Sequence, residues 1–270
     1  MELDWENYFY GLIIISVIVW CLEVVFPWRK NQPIIRKDFW LDTFYMFFNF
    51  FLLNLIVLIA LSNTASEILN DILHSIGLSV SKFQIFDINT FPYWLRLFTF
   101  FIVLDFVQWF THRLLHKYNF LWNFHKVHHS VKEMGFAAHL RYHWMEPVIY
   151  NSMKYIPLAI IGGFSAQDIA IVHFFNITIG HLNHANINLN YGVLKYIFNN
   201  PKMHIWHHAK ELPKDKKDGV NFGITLSVWD YLFKTNYIPY SGRDIELGFK
   251  NDENFPKDFL HQEMFPLIKK

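Results

Sequence analysis

The chain has 270 residues, 53% of them apolar and only 17% charged, and Phe alone supplies 29. Soluble chains carry about a quarter charged residues, so the composition favours a membrane-embedded unit over a soluble globule. A formal net charge of +1 argues against a nucleic-acid partner, and the lone cysteine, Cys21, excludes an intrachain disulfide, a cysteine-based zinc site and an iron–sulfur cluster.

The N-terminal segment Met1–Asn7 is acidic, and no small-residue cleavage site follows the apolar run Tyr8–Phe26. That pattern fits a retained membrane helix and not a signal peptide. Within the run, Cys21 reads as a small buried or lipid-facing residue. Phe39–Leu61 is a second run of spanning length, about 20 residues. Its Asn49 and Asn54 read as bonds between neighbouring helices. Tyr93–Phe110 is shorter and carries Arg96, Asp105 and Gln108, which predicts a helix buried against its neighbours on one side. Val148–Gly163, interrupted by Pro157, and Asp168–Gly180 predict a hairpin that enters the bilayer, and their lengths leave full crossing open. Trp229, Tyr231 and Phe233 suit interfacial anchoring. The mixed loop Lys210–Gly219 reads as solvated.

The expected fold is all-α: an integral-membrane helical bundle of about four membrane helices or hairpins with a cytoplasmic helical cap. Basic residues set the orientation. None lies in residues 1–7, whereas Arg29, Lys30, Arg36 and Lys37 follow the first run and Arg113, Lys117, Lys126, Lys132 and Arg141 follow the third. The positive-inside rule then places the N-terminus outside and both basic regions in the cytoplasm, with the segments 112–129 and 204–208 at or just beyond the inner membrane surface.

Thirteen of the fifteen histidines fall between His112 and His208. They include three boxes: His112-x-x-x-His116, His125-x-x-His128-His129 and His204-x-x-His207-His208. Positions i, i+3 and i+4 share one helix face, so each box aims two or three imidazoles at one point. Neutral imidazole binds iron, zinc, copper and nickel. Eight such nitrogens exceed what one mononuclear site uses, which predicts two metals. His139 and His173 lack a partner pattern and read as packed histidines. His74 and His261 read as surface residues.

The ordered motifs HRLLH, HKVHH, RYHWME, HLNHAN and HIWHH, then DGVNFG and LSVWDYLFKT, resemble the fatty acid hydroxylase and sterol desaturase superfamily over about Leu95–Thr235. The resemblance implies a membrane-bound, non-haem di-iron enzyme that hydroxylates or desaturates a lipid, such as a sterol, a fatty acyl chain or an alkylglycerol, with dioxygen and two electrons. It assigns His112, His116, His125, His128, His129, His204, His207 and His208 as ligands of two iron ions, sites that zinc could fill in vitro. His184, in His184-Ala185-Asn186, matches a further family ligand, and His181, one turn earlier, is a weaker candidate. Arg141, His143 and Glu146 match the family's R-x-H-P-x-E motif. Trp144 stands in place of the proline, a departure in the local turn, and His143 is a further candidate ligand. The chain divides into residues 1–92 with the N-terminal helices, 93–240 with the hydroxylase-like region and 241–270 as a cytoplasmic tail, all in one structural unit.

Around such a centre, Asp105, at i−7 from His112, is placed to accept a ring N–H. Glu146 and Glu133 are further candidates, with Glu146 able to bridge metals or pair with Arg141. Phe98, Phe100, Phe101, Phe106 and Phe110 either wall a lipid tunnel or face lipid and neighbouring helices, and the second reading is simpler. No haem motif or flavin fingerprint is present, so electrons come from a separate donor, such as a cytochrome b5-like protein, a ferredoxin or a reductase. Lys126, Lys132, Lys202 and Lys210 either receive that donor or are an ordinary positive-inside surface, the preferred reading. Two other function classes compete. A histidine-rich membrane metal transporter expects ligands at the bilayer midplane. A zinc hydrolase expects about three ligands and an open position.

Overall fold

The computed structural model describes residues 5–49, 71–79, 82, 84, 88–162 and 165–267. Helices dominate, and the described residues contain only isolated β-bridges, such as Pro27 with Ile187 and Ala209 with Leu247. Part of the sequence-based reading, Met1–Asp4, Phe50–Leu61 with Asn54, and Gly163, lies outside the described residues.

Helix α1 (Trp5–Val25) is apolar around its whole circumference, and the window Tyr8–Val25 is long and apolar enough to cross a bilayer. Leu12 and Val19 are buried against the protein, while Tyr10, Ile14, Val17 and Val25 point outward. Outward apolar side chains on a helix of spanning length suit lipid as the solvent. The described start of the second predicted run is α2 (Phe39–Phe47). One of its faces is polar and buried, with Asp42 between Arg36 at 2.5 Å and Arg141 at 3.0 Å, while Trp40, Phe44 and Phe47 point outward. Asn49, just beyond α2, donates to the carbonyls of Leu140 (2.8 Å) and Tyr142 (2.9 Å), an inter-segment bond of the predicted kind.

Helix α3 (Tyr93–Lys117) runs a full two turns past the predicted end at Phe110 and is the second candidate membrane span. Its last turns therefore carry both histidines of the first box on one continuous helix. Helix α4 (Asn119–His129) follows after a single extended residue, Tyr118. A short 3₁₀ segment, Phe136–Leu140, then leads to the hairpin of α5 (Met145–Ile161) and α6 (Ala166–His184).

Each hairpin helix has a defined end. Gly162, at φ 68° and ψ 177°, closes α5 in a positive-φ conformation that glycine adopts without strain. Ser165 and Asp168 form a reciprocal capping box at the start of α6 (3.2 and 2.9 Å). Asp168 also pairs with Arg96 of α3 at 3.3 Å, fixing the hairpin to that helix. The return limb extends beyond the predicted Gly180 to His184, and so ends in the histidine centre. Helices α7 (Pro201–His207), α8 (Val228–Leu232) and α9 (Phe259–Glu263) complete the order. Val19, Phe39, Phe136, Ala137, Ala185 and Ile187 share one apolar core, which binds α1 and α2 to the segments flanking the centre.

Candidate metal centre

The centre is built from the ends of α3, α4 and α6 together with α7. The reversal predicted across Lys117–Phe124 is made at Tyr118 alone (φ −103°, ψ 119°), which folds α4 directly back over the last turn of α3. The start of α7 is set by the Asn200 side chain, which accepts from the Met203 N–H, and by Pro201 in the first turn. This places His204 and His207 on the helix and His208 at its C-terminal boundary.

Nine histidines converge in two groups. His112, His116, His125, His129 and His207 form one, and His128, His184, His204 and His208 the other; within each, the candidate ligand nitrogens lie within 4.8 Å of one another. The groups adjoin, with the His129 and His208 rings stacked at 4.4 Å between centroids. The two HxxHH boxes are used reciprocally. The second box gives its i, i+4 pair to the first group and its i+3 ring to the other. The third box does the reverse. Rings at i and i+4 stand about 40° apart around a helix, whereas i+3 and i+4 are separated by about 100°, so one box naturally feeds two centres.

Hydrogen bonds on the far side of the rings fix which nitrogen faces inward. Nδ1 of His112 donates to Phe222 O (2.8 Å), of His128 to Arg141 O (3.1 Å), of His184 to Gly180 O (2.8 Å) and of His207 to Val220 O (2.8 Å). His125 Nδ1 donates to Glu146 Oε2 at 2.9 Å. A neutral ring with its proton on Nδ1 presents a bare lone pair at Nε2. Yet Nε2 of His112 lies 3.0 Å from Nε2 of His125, and Nε2 of His184 lies 3.2 Å from Nε2 of His128. Each is a pair of acceptors at hydrogen-bond distance with no proton to share, a repulsive arrangement that a cation between them would relieve. The buried Nε2 of His116 likewise has no hydrogen-bond partner. Metal–nitrogen bonds of about 2.1 Å at right angles place adjacent ligand nitrogens about 3.0 Å apart, so the residues fit a bound metal.

Burial holds the rings of His125, His129, His204, His207 and His208 well below the ordinary imidazole pKa, and His128 at about 3, with repulsion between imidazoles adding to the effect. The folded state therefore keeps them neutral, while the unfolded chain takes up protons below about pH 6.5. Because the unfolded state binds more protons, stability of the metal-free protein is present above that pH and declines as pH falls through it, by up to roughly 1.4 kcal/mol per unit for each such ring. Thermal denaturation of chelated protein in detergent should show Tm decreasing steadily from about pH 7 to about pH 5; a flat profile would contradict neutral burial.

Several expectations about the surrounding groups are corrected. Asp105 does not reach His112: seven helical residues separate them by about 10 Å along the axis, and Asp105 instead accepts from Trp229 Nε1 (2.8 Å) and Leu226 N (3.3 Å). Arg141 does not pair with Glu146; its guanidinium meets Asp42 (3.0 Å) and Asp38 (3.2 Å). Glu146 meets the outer nitrogen of His125, the wrong side of the ring for a bridge between metals. Glu133 bonds the Lys37 N–H at the surface.

His143 and His181 stand outside both groups. His143 Nδ1 accepts from Met145 N (3.0 Å), and the His181 ring lies between Ser16 Oγ (3.1 Å) and His139 Nδ1 (3.2 Å). His139 and His173 are packed, the latter against the Tyr8 hydroxyl. Of the α3 phenylalanines, Phe98 and Phe110 are exposed, Phe100 is core and Phe101 and Phe106 pack on aromatic neighbours, in line with the simpler reading. Lys132 and Lys210 are engaged by Asp252, Lys210 also by Glu246, Lys126 by Asn123, and Lys202 lies over Trp28.

The carbonyls that orient the rings were not foreseen, although the motif supplying two of them was visible. In Asp218–Gly223, Asn221 takes a left-handed conformation (φ 53°) and bonds Met203 O, Tyr237 O and Tyr237 N with its amide. Gly223 admits no side chain, since a Cβ there would lie 2.3 Å from Leu226 O. Asp230 accepts from the N–H groups of Phe222 (2.9 Å) and Gly223 (2.8 Å) and from Trp109 Nε1 (3.0 Å). Phe222 O and Val220 O are thereby held toward His112 and His207.

Comparison with known proteins agrees with this geometry. The fatty acid hydroxylase family profile matches residues 97–235. The chain is 30% identical over 172 residues to an ornithine lipid hydroxylase of Rhizobium tropici (63% of this chain, 49% of the relative). It is 31% identical over 137 residues to the alkylglycerol monooxygenase of Homo sapiens (50% and 29%). It is 26% identical over 148 residues to a very-long-chain aldehyde decarbonylase of Oryza sativa subsp. japonica (52% and 46%). The matches thus span about half or less of these relatives' own lengths. No solved structure matches. A profile covering more than half of the chain, together with the motifs it contains, shows that this protein belongs to the fatty acid hydroxylase family.

Proposed function

We propose that the two histidine groups each hold one iron ion and that the protein is a multi-pass membrane oxygenase hydroxylating a lipid. The observation that carries the metal assignment is the pair of facing acceptor contacts, His112–His125 and His184–His128, one in each group. The relatives, a lipid hydroxylase and a monooxygenase, support the reaction class. Hydroxylation places one oxygen atom of O2 on the substrate carbon and releases the other as water, consuming two electrons and two protons. The electrons come from a separate donor. The bound metals would supply the reduction of O2. The two candidate spans support a membrane setting, and the basic segments support a cytoplasmic centre. Desaturation at the same centre remains the alternative outcome of the same oxidation.

The chain's own residues hold and shield the site. Five outer hydrogen bonds fix ring tautomer and angle before any metal arrives, and near-complete burial excludes bulk water. Glu146 shows how this works. Glu146→Ala removes the acceptor for His125 Nδ1 and should weaken metal binding by about 10–100-fold, whereas Glu146→Gln, which keeps an acceptor oxygen, should restore most of it. Metal titration of both variants checks this; equal loss in both would contradict the hydrogen-bond role.

A histidine-rich metal transporter is not favoured, because the rings close on two shared, buried centres and the relatives are enzymes of lipid chemistry. Nine converging rings also exceed the donor set of a zinc hydrolase. The purified, iron-reconstituted protein, supplied with reductant and O2, should convert a component of a membrane lipid extract to a product heavier by one oxygen atom. An unchanged lipid profile would overturn the oxygenase reading.

A further inference from the structure

The segment leaving α1 forms two consecutive recesses of opposite character. Trp20, Cys21, Val24 and Val25, on the last two turns of the helix, and Ile34 line an apolar hollow of about 350 Å³. The loop between them, Trp28–Gln32, faces Glu133 and Arg243–Ile245 across a cleft of about 530 Å³. The cleft is fixed to the metal-centre side of the protein. Trp28 N donates to Asn186 O (2.9 Å) and Arg29 N to Asn186 Oδ1 (2.8 Å), two residues beyond His184, and Gln32 Nε2 donates to Met134 O (2.7 Å). It begins three residues after the candidate span ends at Val25, the level of lipid headgroups.

The charges in the cleft are incompletely matched. Arg29 is half-buried: one amino group donates to Ile245 O (3.1 Å), while its buried Nε has no partner, nor does the buried Oε1 of Gln32. Lys30 is exposed, with no ion-pair or hydrogen-bond partner among the described residues. Arg243 meets its neighbour Asp244 at 2.9 Å, both largely exposed, a contact of little energetic weight. Three cations and two carboxylates therefore surround one space. A purely anionic ligand would face Glu133 and Asp244. A neutral ligand would leave Arg29 Nε and Lys30 unmatched. A ligand carrying an anionic group and an ammonium satisfies both sets.

We infer that this cleft binds the headgroup of a zwitterionic lipid whose chain enters the hollow beside α1. The inference rests on the lipid reading of the function and names the headgroup class. The test uses the full chain, iron-loaded in detergent and titrated with dioleoyl phosphatidylethanolamine, dioleoyl phosphatidylglycerol or dioleoylglycerol, with bound lipid read by native mass spectrometry. Phosphatidylethanolamine should bind about tenfold more tightly than either of the others. The double variant Lys30→Ala/Arg243→Ala should lose that preference, and Lys217→Ala, outside the cleft, should keep it. Equal binding of the three lipids by the wild type, or an undiminished preference in the double variant, would overturn the inference. Both substituted side chains are exposed, the iron content of the variant reports its folding, and the wild-type comparison needs no variant. Absence of any lipid preference in a catalytically active wild type would count against the cleft alone. Preference without oxygenated product would count against the oxygenase reading alone.

Discussion

His204→Ala should remove one metal per chain and abolish oxygen-dependent product formation. The His204 Nε2 lies 2.9 Å from that of His184 and 3.1 Å from that of His208, so it is central to its group. Alanine leaves three rings, His128, His184 and His208, without the nitrogen that lies between the last two. Loss of an outer hydrogen-bond partner alone typically costs about 10–100-fold in metal affinity or activity, so loss of a ligand should exceed about a hundredfold in turnover. His207→Ala should do the same to the other group. Elemental analysis beside product formation separates the two, and normal turnover in His204→Ala would refute the ligand assignment.

Asp42→Ala should destabilise the protein although Asp42 touches no histidine. Asp42 is wholly buried and accepts from Arg36 (2.5 Å) and Arg141 (3.0 Å). Removing it strands the buried Arg36 guanidinium and takes one of two carboxylates from Arg141, and breaking a buried ion pair from one side costs about 3–5 kcal/mol. Arg141 retains Asp38 at 3.2 Å, so Arg36 bears most of the loss. The carbonyl of Arg141 accepts from His128 Nδ1, so the disturbance reaches the second metal group. Tm of the variant should fall by roughly 10 °C, and Asp42→Asn, which keeps an acceptor, should fall less. A destabilisation below about 1 kcal/mol would show that the network is not needed.

Eight of the nine ligand candidates were legible because helical spacing is a strict geometric constraint: His112/His116, His125/His129 and His204/His208 can only stack on one face of a helix, whereas His184 was reached through the family resemblance. Their division between two groups was not legible, since it depends on how α4 and α7 oppose each other. The hairpin was legible from Gly162 and the apolar runs. The true extent of α3 was obscured because Thr111–Lys117 is polar, although it continues the helix without a break. Of the outer partners, Glu146 was legible and meets His125 at 2.9 Å, and the others were missed for a different reason. Phe222, Val220, Arg141 and Gly180 act through backbone carbonyls, which leave no mark in side-chain chemistry. Asp105 looked functional within an apolar helix and Arg141 by its place in the family motif, yet their partners, Trp229 and Asp42, lie 124 and 99 residues away in the chain. Only folding reveals such pairings.

The nine rings close into two adjacent groups, each proposed to hold one ion. Elemental analysis of the full-length chain, purified and reconstituted with ferrous iron, tests it most directly. About two iron ions per chain should be found, falling to about one in His204→Ala. One ion or none in the wild type, or two that persist in both His204→Ala and His207→Ala, would contradict it.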